Sequence, residues 1–275
     1  MSTGIVAATF WEARPLLKGL APAAANVHKK NGKRVPRRRA GELIFLPEGA
    51  MLLVSGMGAV RAGLAARRLL ENGATALVSW GFAGGLLPNL SPGTLILPEK
   101  IHATDQSVYF PDPAWLNQLQ MGLRGQVELR EGALAESAGI VASRAEKELL
   151  LHRTASVAVD MESGALARAA MESRVPFLAV RAITDSAGSD LPRCALDAAD
   201  EFGRVRGLTL LLGLCRRPAE IFALARTLCE VRAAEAALAG VVVHGRSYLL
   251  NPPAHDRNDS QTGPIFPAAA RGEIS

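Results

Sequence analysis

The residues able to do chemistry in this chain fall in five short clusters. Each also has an ordinary structural explanation. Glu12 follows a short apolar segment, Gly4–Thr9, and taken alone is a common loop acid. Ser55-Gly56-Met57-Gly58 precedes a helical pattern, with Arg61 about one turn in. Backbone amides at a helix start suit an anion or a sugar hydroxyl. Tight packing of strand on helix asks for the same glycines. A full G-x-G-x-x-G is absent, because the next glycine is Gly63, and no acid ends the following strand to hold a cofactor ribose. Gly81-Phe82-Ala83-Gly84-Gly85 lets backbone approach a ligand closely, or simply turns. Asp160-Met161-Glu162-Ser163 offers carboxylates for vicinal sugar hydroxyls, and hydrogen bonds to a charged acceptor are the stronger kind. An Asp cap and a first-turn Glu also favour a helix electrostatically. Asp185, after Arg181-Ala182-Ile183-Thr184, sits where burial would keep a carboxyl protonated as a general acid. A turn or helix cap is the plain alternative.

The elements that must position these clusters are legible from pattern. Gly4–Thr9, Thr75–Trp80, Val157–Asp160 and Phe177–Ile183 read as buried strands, and Leu95–Leu97 as a short one. Leu43–Leu46 and Met51–Ser55 flank a Pro-Glu-Gly turn and read as a hairpin. Helical patterns cover Ala59–Leu70, Met161–Ser173, Leu191–Cys215 and Ala219–Leu238, the first stopped by Asn72-Gly73. Strands alternating with helices argue for an α/β fold with a parallel or mixed central sheet. Runs such as ALVSW and FLAVRAI do not alternate, so helices cover both of their faces, giving three α/β/α layers. In such sheets ligands sit at the carboxyl ends of strands. All five clusters fall there. The expected organisation is a main domain over residues 1–215, a C-terminal helical extension over 216–250 and an unpacked, Pro-rich tail over 251–275.

Composition narrows the function. The chain has 275 residues, 49% of them hydrophobic, which is enough for a sizeable core. Its formal charge is +5, but Lys29–Arg39 alone carries seven basic residues and no acid, leaving −2 for the remainder. That segment is a solvated loop or a contact for an anionic surface such as lipid headgroups. No aromatic residue interleaves it, so a specific nucleic-acid site is disfavoured. Three cysteines without C-x-x-C, and five histidines without H-x-x-x-H, suggest neither disulfides nor a metal site. The amino-terminal segment lacks a basic start and meets Glu12 early, unlike a signal peptide. No apolar run reaches about 18 residues. A cytoplasmic setting is the expectation.

Taken in order, the segments VSGMGAVRAGLAARRLL, SWGFAGGLLPNLSPGTLILPEKI and VAVDMESGALARAAMESRVPFLAVRAITDSA resemble the nucleoside phosphorylase and nucleosidase superfamily, over about Gly4 to Cys215. That superfamily includes the methylthioadenosine/S-adenosylhomocysteine nucleosidases. The resemblance implies that Asp185 protonates or hydrogen-bonds N7 of a leaving purine. It implies that Glu162 grips the ribose 2′-hydroxyl, that Met161 packs on the ribose and that Glu12 positions the attacking water. Gly81 and Gly84 match the glycine loop beside base and sugar. Such cleavage needs no metal or redox cofactor, and phosphate enters only as a co-substrate of a phosphorylase. Arg61, near Gly56 and Gly58, is the candidate for a phosphate site, whereas Glu12 favours water.

The segments DMES, DSAGSDLPRCAL and CRRPAEIFALARTLCEVRAAEAAL look like the hopanoid-associated branch, whose members are thought to release adenine from adenosylhopane. Phe82 stands where methylthioadenosine nucleosidases carry a small hydroxyl residue, and Asp160 replaces the first Glu of the usual Glu-Met-Glu. Phe82 then lines an apolar mouth for a bulky 5′-substituent. The partners implied are a small adenosyl compound, including a membrane-embedded triterpenoid, and further copies of the chain, a dimer first. Peripheral contact with the inner membrane surface fits that substrate. A stripe of Ile221, Phe222, Leu224, Ala225, Leu228, Val231 and Leu238 favours core packing or a subunit interface over a membrane-lying helix. The alternatives are a methylthioadenosine/S-adenosylhomocysteine nucleosidase or other purine nucleoside phosphorylase and, from a different class, a non-catalytic purine- or RNA-binding protein.

Overall fold

The computed structural model describes residues 2–20, 40–198, 200, 202 and 206–253. The basic segment Lys29–Arg39 and the tail beyond Pro253 lie outside the described residues.

The chain starts with β1 (Thr3–Ala7) and α1 (Phe10–Leu20), then the hairpin of β2 (Leu43–Phe45) and β3 (Met51–Val54), and α2 (Ala59–Glu71). The long β4 (Ala76–Gly85) follows, with β5 (Leu95–Ile96), β6 (Lys100–His102), β7 (Val108–Tyr109) and α3 (Pro113–Leu123). Next come β8 (Leu129–Arg130), β9 (Ala133–Glu136), α4 (Arg144–Thr154), β10 (Ala158–Asp160), α5 (Ser163–Glu172) and β11 (Phe177–Asp185). The described part ends with α6 (Arg193–Ala198), α7 (Gly207–Arg216) and α8 (Glu220–Leu250). Among the described residues eleven strands make one mixed sheet, running β2-β3-β1-β4-β10-β9-β6-β7, with β11 between β4 and β5, and β8 beyond β5.

Side chains alternate across a strand, and here both faces are apolar. Ile5, Ala7, Leu52, Val54, Val78 and Trp80 face α1, α3 and α8. Val6, Met51, Leu53 and Leu77 face α2 and α5. The expected three-layer α/β/α architecture with a mixed sheet is therefore what forms.

Four expectations change. The segment before Glu12 stops being a strand at Ala7, and Glu12 lies in the first turn of α1. Gly81–Gly85 does not follow β4 but continues it. The single helix expected over Leu191–Cys215 is two helices, α6 and α7. The last helix runs on to Leu250. Gly240 and Gly245 within it permit close packing. A Cβ at Gly240 would lie 2.9 Å from Val127, and one at Gly245 would lie 3.0 Å from both Leu119 and Leu123.

The apolar stripe of α8 divides. Ile221, Phe222 and Leu228 are exposed, whereas Leu238 joins Ala234, Val241, Val242 and Leu249 in the same core as α1 and α3. The second half of α8 is thus part of the main core. Leu238→Ala should cost about 2–5 kcal/mol, the usual range for a fully buried Leu. Phe222→Ala, at a side chain 82% exposed, should stay within about 0.5 kcal/mol. Urea denaturation of both variants tests this, and equal losses would contradict the division.

Candidate active site

The site begins with a fork in the sheet. β1 pairs with one edge of β4 from Ala76 to Trp80. β10 takes over that edge at Gly84 and Gly85, running antiparallel. Between them, from Gly81 to Ala83, that edge has no strand partner. Glu12 reaches into the gap, and its Oε1 accepts from Phe82 N at 2.8 Å. A Cβ at Gly81 would sit 2.3 Å from the same oxygen, so only glycine leaves room.

Glu12 is held from the other side by its own helix start. Its Oε2 accepts from Thr9 N at 2.6 Å and Thr9 Oγ1 at 2.9 Å, while Thr9 Oγ1 accepts from Glu12 N at 3.4 Å. The pattern T-x-x-E with reciprocal bonds is a capping box. Burial pushes the Glu12 carboxyl above its ordinary range, against the lowering effects of the Phe82 amide and Arg181.

Glu162 sits just before α5. Its Oε1 accepts from Gly58 N at 2.8 Å, and Met161 N donates to its Oε2 at 3.3 Å. Gly58 has φ +100°, a left-handed backbone that favours glycine and turns its amide onto this carboxylate. Burial, then the charge of Asp160, raises Glu162 from 4.5 to about 8.

Behind both acids lies Arg181, in the middle of β11 with only 2% of its side chain exposed. Its Nε donates to Asp160 Oδ2 at 2.8 Å, and its Nη2 lies 2.6 Å from the same oxygen. Nη2 also donates to Ser79 Oγ at 2.6 Å and Ser163 Oγ at 3.0 Å. Ser163 Oγ donates in turn to Asp160 Oδ2 at 2.6 Å. Burial opposes the charge on Arg181, but Asp160, Glu162 and Glu12 outweigh it and raise its affinity for the proton. One guanidinium thus faces three buried carboxyls.

Asp185 ends β11, where the register with β4 shifts beside Gly84. A Cβ at Gly84 would lie 3.3 Å from Asp185 Oδ2. Thr184 Oγ1 donates to its Oδ1 at 2.8 Å. Its Oδ2 forms an ion pair with Lys147 of α4, a side chain 1% exposed. Burial alone was expected to keep Asp185 protonated; the buried ammonium instead supplies a charge partner.

These groups surround one cavity of about 210 Å³. Glu12, Phe82, Gly84, Met161, Glu162 and Asp185, all singled out in the sequence, line it. Asp160 also lines it, but its carboxylate is engaged by Arg181 and Ser163, so it braces the site rather than gripping a sugar. Gly56, Gly58, Gly81 and Arg61 are not among the lining residues. The Gly58 amide holds Glu162 instead of a ligand, and Gly81 makes space for Glu12. Gly56 is packed against Arg61 and Phe202. Arg61 is exposed, donates to Met57 O at 3.3 Å and lies over the Phe202 ring.

Sequence reasoning assigned no role to Arg181 or Lys147. A lone Arg inside the apolar run FLAVRAI was a usable signal, since a buried charge requires a partner. Lys147 gave a fainter one: it shares a helix face with Leu150 and Leu151, which pack on a small core cluster. Among the described residues no group of His, Cys, Asp and Glu is arranged to hold a metal, and no helix is long and apolar enough to cross a membrane.

The raised Glu162 makes a stability prediction. Between 4.5 and about 8 its carboxyl is protonated in the folded chain and ionised in the unfolded one. The folded state then binds more protons, so stability falls as pH rises through that window. Glu162→Gln removes this contribution. The parent protein should lose stability relative to the variant from pH 4.5 towards 8 in urea melts at fixed pH. Parallel pH curves would refute the assignment.

Residues 3–207 match the model of the phosphorylase superfamily. The methylthioadenosine/S-adenosylhomocysteine nucleosidase of Shewanella sediminis is 27% identical over 158 residues, covering 50% of this chain and 69% of that one. The Helicobacter pylori enzyme of the same name, solved with a pyrrolidine inhibitor, superposes with a TM-score of 0.62 at 18% identity, covering 90% of this chain and 97% of that one. Futalosine hydrolase from Helicobacter pylori superposes with a TM-score of 0.60 at 18% identity, covering 88% and 97%. These structural likenesses concern the fold, and the family match extends over most of the chain: it belongs to the phosphorylase superfamily.

Proposed function

We propose that this protein hydrolyses the N-glycosidic bond of an adenosyl compound and releases adenine. The observation that carries this reading is the excess of buried carboxyls, Glu12, Asp160 and Glu162 against one Arg181, in a cavity that also holds Asp185. Breaking the bond leaves positive charge on the sugar, which favours the ionised form of carboxyl groups held beside it and is stabilised by them in a water-poor site. Glu12 lies beside Gly81 and Asp185 beside Gly84. Those glycines stand three positions apart along the strand, about 10 Å, a span suited to a nucleoside between the two groups.

In this scheme Glu12 orients the attacking water, Glu162 accepts from a ribose hydroxyl and Asp185 faces the purine. Met161 and Phe82 pack against the sugar and its substituent. The similar proteins named above, two nucleosidases and a futalosine hydrolase, agree with this chemistry. Water is preferred to phosphate because no Arg or Lys occurs among the described residues that line the cavity. The proposed reaction requires no metal or redox cofactor.

The finer proposal concerns the 5′-substituent. Met57, Phe82, Ile140, Val141 and Leu191 give the cavity an apolar lining. Together with the branch resemblance, this favours a bulky apolar group, and adenosylhopane is the proposed substrate. A lipid-borne substrate requires approach to a bilayer. The exposed Leu211, Leu212, Ile221, Phe222 and Leu228 of α7 and α8 offer a face for it.

Adenine release from adenosylhopane and methylthioadenosine, measured side by side, should favour the former. Asp185→Asn should reduce release about 100-fold or more, the usual worth of a positioned proton donor. Undiminished release by that variant would sink the reading. The sugar product should have the mass of a free ribosyl species with or without phosphate. A ribose-1-phosphate species would assign phosphorolysis instead.

A further inference from the structure

Lys147 is the buried charge that this mechanism leaves unused. Its ammonium has three N–H donors, and all three are engaged. One goes to Asp185 Oδ2, one to Ser186 O at 2.8 Å and one to Ser189 O at 3.0 Å. The helix that carries it is firmly started by a capping box between Ser143 and Glu146. That helix start is tied to the same loop: Arg144 N donates to Asp190 Oδ1 at 2.8 Å, and Leu191 N donates to Ala142 O at 2.9 Å. Lys147 therefore enters the site from a rigid base. Among the described residues, Glu230 of α8 also faces the pair, and Arg226 lies 3.5 Å from Glu230.

A carboxylate in a buried ion pair carries no proton of its own to donate. The labile proton of the pair lies on the Lys147 nitrogen. We propose that Lys147 acts through Asp185, as a positioning residue that fixes Oδ2 and supplies the proton that leaves with the base. This rests on the nucleosidase reading. As the C–N bond breaks, its electron pair moves onto the purine. A proton moves from the Lys147 ammonium to Asp185 Oδ2 and from Asp185 on to a ring nitrogen, so that Asp185 ends as a carboxylate again. The pair is then one proton short, as a neutral amine beside a carboxylate, and solvent restores that proton after the product leaves. The arrangement keeps the acid competent at alkaline pH, where a solitary carboxyl would be ionised.

Two measurements on Lys147→Met test it. The alkaline limb of kcat/KM for adenine release should move to lower pH than in the parent, because the ammonium that supplies the proton is gone. K147M should also add no further loss in the D185N background. A merely structural tie between α4 and the loop predicts equal losses in both backgrounds and an unmoved limb, and either result overturns the proposal. Should K147M fail to fold, Lys147→Gln serves both readouts, since it keeps N–H donors for the Ser186 and Ser189 carbonyls without the charge. A parent protein that releases no adenine from any adenosyl compound defeats the functional reading, whereas an unmoved limb or equal losses in an active parent defeat the role of Lys147 alone.

Discussion

One buried guanidinium organises this protein. Arg181 lies at the centre of the sheet, where an unpaired charge would cost several kcal/mol. It is compensated by Asp160, and through Ser79 and Ser163 it joins β4, β11 and the start of α5. Asp160 alone would neutralise it. Glu12 and Glu162 come in addition, so the cluster holds more carboxyl groups than cation. Burial, and then the charge of Asp160, keep a proton on Glu162 up to about 8. A fold selected for stability alone would favour apolar residues of similar volume here. The surplus of acid makes physical sense where a positive charge develops in the cavity.

The fork of β4 is what makes room for that cluster. A continuous sheet would cover the amides of Gly81 to Ala83 with a neighbouring strand. Because β1 ends opposite Trp80 and β10 reaches along β4 only as far as Gly84, the Phe82 amide is left for a side chain. The same strand places Gly84 beside Asp185. Both chemical ends of the cavity are thereby referenced to one rigid element.

The parts that local pattern could disclose were disclosed. β3, the SGMG turn and α2 follow from an apolar run, glycines and a terminal Asn-Gly, and each needs only neighbouring residues. Asp185 and Glu162 stood out because acids at strand ends are conspicuous. The missing parts depend on distant partners. Gly81–Gly85 looked like a loop because glycine is a poor strand former, yet β11 pairs with it and Glu12 packs where its side chains would be. Lys147 is unremarkable within a largely polar helix, and only tertiary packing turns it onto Asp185. Gly58 was credited with a ligand, but its amide was already needed by Glu162, more than a hundred residues away in sequence.

The core position of α8 bears on how the chain assembles during synthesis. Thr3 Oγ1 donates to Leu250 O at 2.8 Å, across 247 residues of sequence. The apolar side of α1, which carries Glu12, is covered by the second half of α8. While the ribosome is still translating, that side of α1 has no cover, and β1 lacks its latest partner. Contacts of such separation form late and slowly, because loop closure must precede them. The nascent chain consequently exposes the surface beneath its own carboxylate site until α8 emerges, and that interval is when it is open to chaperones and to aggregation.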